Sequence, residues 1–239
     1  MRKFKVFKIS CLLLAILVGC NDKDDELKVS ANVVFLKKEI SGEVRYGVSY
    51  YLQANQRLDS VTVTLPLGGR VVKLKQHETN TYLFSYEASN ADFTEIAPSD
   101  GNYLFKAASQ KGEHLEITDE QRFDDLAFAV IDSTSFDSGN LWYYVSWERV
   151  FDADAYMILL LKLSGKSIFN SVTIPSTSTT EYMISDFHPT GTWEEKPQKG
   201  QRYILRINSI KYDSATGKDE YFNVQEISAI DREITWELE

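Results

Sequence analysis

The sequence predicts an all-β protein: two tandem antiparallel β-sandwiches behind an N-terminal export and anchor segment. Three observations predict it. Short runs alternate apolar and polar residues with a period of two, which turns one side of each run to a core and the other to water. Turn signals rich in glycine, proline and aspartate separate these runs at intervals of roughly ten residues, the spacing of a sandwich. No segment carries a sustained helical period, and the one helical candidate, 88–96, is short and polar.

The chain opens with Arg2, Lys3, Lys5 and Lys8, followed by the apolar run 9–18. A positive head and a short apolar core make a secretory signal peptide. The run is well below the roughly 20 apolar residues that a membrane-crossing helix needs. Leu17-Val18-Gly19-Cys20 follows and resembles the lipobox of bacterial lipoproteins. The resemblance implies removal of residues 1–19, a diacylglyceryl group on the Cys20 thiol and acylation of the new amine. Each buried CH₂ adds roughly 0.8 kcal/mol of membrane affinity, so two or three acyl chains anchor stably where one does not. Residues 20–27 then form a tether. Its Lys23-Asp24-Asp25-Glu26 resembles the acidic export signal of surface-exposed lipoproteins of some Gram-negative bacteria. This implies the outer membrane and the cell surface, with the periplasmic face as the alternative.

Charge and cysteine content narrow the function classes. Loss of the four cations of residues 1–19 takes the net charge from −9 to −13. Such a surface repels nucleic-acid phosphates, so a nucleic-acid partner is not expected. The two cysteines are Cys11, in the leader, and Cys20. The mature chain therefore has no disulfide and no cysteine metal site, and its stability comes from apolar cores.

Residues 28–112 read as the first sandwich. Strands are expected at 29–36 and 43–52, the latter with Val44, Tyr46, Val48 and Tyr50 on one face. A third is expected at 60–65, followed by the turn Pro66-Leu67-Gly68-Gly69. Further strands are expected at 70–75, 81–86 and 103–107, the last after the turn signal Pro98-Ser99-Asp100-Gly101-Asn102. The proline turn, Asp100-Gly101-x-Tyr103-x-Phe105 and the later Gly112 resemble bacterial surface Ig-like domains. His77 and His114 stand alone in polar surroundings and read as exposed loop residues, with no metal implied. Residues 113–125 carry Glu113, Glu116, Asp119, Glu120, Arg122, Asp124 and Asp125, and read as a solvated linker.

Residues 126–239 read as the second sandwich. Strands are expected at 140–150, 155–163, 168–174, 181–185, 202–210 and 227–236. Val145-Ser146-Trp147, Ala155-Tyr156-x-Ile158, Tyr182-x-Ile184 and Tyr203-x-Leu205-Arg206-x-Asn208 resemble the second, third, fifth and sixth strands of a fibronectin type III domain. The resemblance implies that Trp147 is the core tryptophan and Tyr203 the tyrosine-corner residue. The chain departs from that family in its insert 188–197.

Three features bear on function. Trp193 stands in the polar insert and, with Trp142 and Tyr144, is a candidate for ligand contact, because aromatic faces stack on sugars or fill partner pockets. Met157, Leu159 and Leu161 lie opposite the core residues of their strand, so a cover is expected there: the first sandwich or a partner protein. The loop 212–220 reads as a polar hairpin. No nucleophile elbow, His-Glu-x-x-His or phosphate loop is present, so no enzyme and no cofactor are expected. The expectation is a non-catalytic, lipid-anchored binding protein that captures a glycan or an envelope protein. The alternative is a structural, assembly or adhesin-like subunit that docks on an outer-membrane partner.

Overall fold

The computed structural model describes residues 26–137, 139, 142–185, 191–213 and 223–237. Cys20, the leader and most of the tether lie outside the described residues, as do His188 and most of the loop 212–220. The fold is all-β. The first eight strands are β1 Val29–Ile40, β2 Glu43–Ala54, β3 Leu58–Thr64, β4 Val71–Lys73, β5 Lys75–Gln76, β6 Leu83–Tyr86, β7 Gly101–Ser109 and β8 His114–Gln121. They form one sandwich, in which β4-β3-β7-β8 faces β1-β2-β6-β5. Its core contains Val33, Phe35, Tyr50, Leu52, Val61, Val63, Tyr103 and Phe105.

The remaining strands are β9 Ile131–Asp137, β10 Trp142–Trp147, β11 Ala155–Lys162, β12 Ser167–Ser171, β13 Ile174–Pro175, β14 Glu181–Ile184, β15 Gly191–Trp193, β16 Arg202–Tyr212 and β17 Val224–Thr235. Here the sheet β14-β10-β9 faces β15-β12-β11-β16-β17, with β13 paired to β11. The alternation in β10 and β11 buries Tyr143, Val145, Trp147, Tyr156, Ile158 and Leu160 in one core. Trp147 is 1 % exposed. The Tyr203 hydroxyl accepts the Gln198 N–H at 2.8 Å, the backbone bond that a tyrosine corner makes.

Two features depart from the sequence reading. Residues 113–125 are not a free linker, because most of them form β8, paired along its length with β7. Glu116 and Glu120 face water while Leu115 and Ile117 pack against the core. A charged outer face is how an edge strand resists pairing with other chains, and here it masks the alternation. Residues 88–96 form only a short turn of 3-10 helix at Asn90–Asp92.

The sandwiches share one sheet. The first and last strands, β1 and β17, pair in parallel with Phe35 opposite Glu226 and Lys37 opposite Ser228, which makes a ten-stranded sheet. The segment between β8 and β9 crosses this junction. Glu226 is fully buried there and accepts the Asp124 N–H at 3.1 Å and the Leu126 N–H at 2.5 Å. Lys37 reaches Asp125 at 2.7 Å and the Leu126 carbonyl at 3.2 Å. Lys211 bonds Asp124 at 2.7 Å. Burial pushes the Glu226 carboxyl above its ordinary range, against the pull of its two backbone donors and of Lys37.

Candidate functional site

The sequence candidates are dispersed in the structure. Trp193 lies on β15, which pairs with β12, rather than on an open loop. Its ring stands 4.7 Å from Phe169 and 6.1 Å from Trp236, with the Lys196 ammonium over it at 4.8 Å. The indole is partly buried and packs against the second core instead of standing free on a loop. Trp142 and Tyr144 lie on the outer face of the three-stranded sheet, remote in topology from β15. The Tyr144 hydroxyl donates to Glu181 at 2.7 Å. Tyr144, but not Trp142, lines an apolar groove of about 390 Å³ between β14 and the 172–175 segment, where Tyr144 and Glu181 satisfy each other.

Met157, Leu159 and Leu161 lie on the outer face of the ten-stranded sheet, opposite Asn208, Arg206 and Ile204. Leu161 is 2 % exposed, and the other two are half-buried. Beside them Arg206 grips Asp231 through two bonds of 2.7 and 2.8 Å.

A further candidate is a cleft in the first sandwich that the sequence did not announce. It encloses about 340 Å³ between the sheets, and Tyr46, Val48, Tyr50, Leu65, Val72, Tyr86 and Tyr103 line it. Three local causes open it. First, β6 pairs with β2 only from Gln53 to Tyr50. Second, beyond Tyr86 the chain leaves the sheet and returns only where Thr94 bridges Tyr46. Third, side chains pin that excursion. The Ala88 N–H donates to the Ser49 hydroxyl at 3.0 Å, and Lys38 stands 3.7 Å from the Phe93 ring centroid. Phe93 also lies flat on Gly47, where a β-carbon would come within 2.9 Å of the ring. The excursion thus forms a wall with Asp92, Thr94 and Ile96 instead of a strand that closes the gap.

The polar groups of the cleft are arranged unequally. The Tyr86 hydroxyl donates to Asp92 at 2.6 Å. Asp92 also accepts from the Ser89 hydroxyl at 2.6 Å and the Ser89 N–H at 2.9 Å. These bonds, Ser89 first, hold the Asp92 carboxyl below its ordinary range, and the bond to Asp92 raises Tyr86. Tyr103 donates to the Ser99 carbonyl at 2.8 Å, and burial raises its phenol strongly. Tyr50 is 4 % exposed and packs 6.0 Å from both Tyr86 and Tyr103. Burial, then the nearby Tyr86, pushes its phenol to about 12, so it stays a protonated donor. Among the described residues its hydroxyl has no hydrogen-bond partner, although it lines the cleft. Arg70 stands at the mouth with its charge close to Tyr50, Tyr86 and Asp92.

No family model and no curated protein matches the chain. Solved structures align with it at low similarity, two of them as follows. A two-domain fibronectin type III segment from chicken tenascin shares 15 % identity over 79 % of this chain and 92 % of that one, with a TM-score of 0.28. A tetra-tandem repeat from the extending region of a large adhesion protein shares 11 % identity over 87 % of this chain and 50 % of that one, with a TM-score of 0.25.

Proposed function

We propose that the chain is a non-catalytic binding protein of the bacterial envelope, held by lipid on Cys20 and displayed on the cell surface. Its tyrosine cleft captures a glycan or an envelope protein. The observation that carries this reading is the formed cavity of about 340 Å³, into which opens the Tyr50 hydroxyl, without a partner among the described residues. The position of the cleft supports display. Tyr46 pairs with Lys37, eight residues along β1 from Val29, so the mouth stands roughly 25 Å from the tether end at about 3.3 Å per residue.

A structural or assembly role would use the outer face at Met157, Leu159 and Leu161, where the first two keep part of their surface in solvent. The cleft is favoured because it is a formed cavity; the outer face also carries a buried acceptor without a partner among the described residues, Asn208 Oδ1.

The test is binding of the full chain to a panel of polysaccharides and to isolated envelope proteins, with Tyr50→Phe and Arg70→Ala alongside. Binding that falls in both variants supports the cleft. Binding unchanged in both moves the site elsewhere.

A further inference from the structure

We infer that the tyrosine cleft takes a neutral sugar residue, which donates to Asp92 and accepts from Tyr50 and Arg70. This rests on the binding reading above and chooses between the two ligand classes it names. The first ground is the mixed lining. Val48, Leu65 and Val72 supply apolar wall, and the phenols of Tyr50 and Tyr86 stand among them with the Asp92 carboxylate and the Arg70 guanidinium. A pyranose has the same mixture: C–H groups on its faces and a rim of hydroxyls that both donate and accept. Tyr46 and Tyr86 are half-buried, so their rings keep surface in the cleft for such a C–H face. An apolar side chain in the same space would cut the Tyr50 hydroxyl off from water and give it no partner, which costs free energy. The volume of about 340 Å³ lies near the lower end of the range for small-molecule pockets and suits a single sugar ring with its substituents.

The second ground is the charge balance. Arg70 and Asp92 are the charged residues of the lining, and their signs are opposite. A phosphate or carboxylate would gain from Arg70 and lose to Asp92, whereas a neutral polyol can use both. The hydrogen bonds leave room for it. Tyr86 donates to Asp92 Oδ1, and both Ser89 bonds go to Oδ2, so Oδ1 keeps an acceptor position for a sugar hydroxyl. The same bonds keep Asp92 ionised, the stronger acceptor form. The Arg70 guanidinium carries five N–H donors in a fixed fork, and Tyr50 adds one more donor on a side chain that is 4 % exposed. Donors and an acceptor around one small cavity match the alternating needs of neighbouring sugar hydroxyls.

The test is fluorine NMR of the full chain carrying 3-fluorotyrosine, with resonances assigned by Tyr50→Phe and Tyr86→Phe. The probes, each at millimolar concentration, are the methyl glycosides of glucose, galactose, mannose and N-acetylglucosamine, inorganic phosphate, and N-acetyl-Ala-Leu-Ala methylamide. At least one glycoside should shift the Tyr50 and Tyr86 resonances, and neither phosphate nor the peptide should. Affinity for that glycoside should fall about fivefold in Tyr50→Phe, the loss of one hydrogen bond, and at least as much in Arg70→Ala, where the donor is charged. Shifts from the peptide or from phosphate, with or without a glycoside, would overturn the neutral-sugar assignment and leave the binding reading standing. Glycoside binding unchanged in both variants would overturn the roles given to Tyr50 and Arg70. Shifts from none of the probes would overturn the cleft as a site.

Discussion

The two sandwiches place their inner aromatics differently. In the second, Trp147 meets Tyr156 edge-on at 5.2 Å, Tyr143 stacks on Trp236 at 5.8 Å, and Trp193 fills the gap between Phe169 and Trp236. In the first, Tyr46, Tyr50 and Tyr86 line an open cleft. The difference comes from one edge segment in each. Strand β15 brings Trp193 back onto its own core, whereas the 87–97 excursion carries the chain away from β2 and leaves the sheets parted. One alternating pattern therefore yields a closed core or a cavity, according to where the edge segment goes.

Predictions can break or sharpen this contrast, beginning with the largest effect. Trp147→Ala should destabilise the protein by about 3–5 kcal/mol in chemical denaturation, because it empties the closed core. A loss below about 1 kcal/mol would mean that the second sandwich is not closed around this side chain.

Glu226→Gln acts at the seam between the sandwiches. An amide has one acceptor where the carboxylate has two, so one buried N–H, of Asp124 or Leu126, is orphaned. The expected loss is about 1–3 kcal/mol. The pH dependence follows from the raised folded-state pKa of Glu226, and burial raises Asp119 likewise. The folded state holds these protons more tightly than the unfolded chain. Their contribution is fully present below the ordinary carboxylate pKa and is lost as pH rises through the folded values. Asp124 behaves oppositely. Desolvation opposes ionisation, but bonds from Lys211 and Arg122 outweigh it and hold the pKa low, so its contribution is lost as pH falls through that value. Denaturation across mildly acidic pH should show the gap between wild type and Glu226→Gln narrowing toward neutrality. A constant gap would contradict the burial effect at Glu226.

Leu67→Gly should stabilise the protein by about 1 kcal/mol, because glycine suits a φ of 63° and the lost side chain touches little. A clear loss of stability would show that Leu67 packs within the chain.

Much of this architecture was legible in the sequence. The alternation at 43–52 and 202–210 follows from period alone, while the buried Trp147 and the Tyr203 corner follow from the resemblance to a fibronectin type III domain. The rest depends on contacts distant in sequence. Nothing local marks β1 and β17 as partners, since parallel pairing of chain ends leaves no turn between them. The acidic face of β8 looked like a linker because edge strands and solvated linkers share their charges. Trp193 looked exposed because Phe169 and Trp236, which cover it, lie far along the chain. Tyr46 and Tyr50 read as core face because alternation reports which residues point inward, not whether the space inside is filled.

The most direct measurement is the stability of Tyr50→Phe beside Tyr156→Phe. The Tyr156 hydroxyl accepts the buried Val150 N–H at 2.7 Å, so its removal should cost about 1–3 kcal/mol. The Tyr50 hydroxyl bonds nothing among the described residues, so Tyr50→Phe should leave stability within about 0.5 kcal/mol of wild type or raise it. That result would show a hydroxyl that the fold itself does not use, left open in the cleft. A loss at Tyr50 equal to that at Tyr156 would show the group serving the core and would contradict the cleft as a binding site.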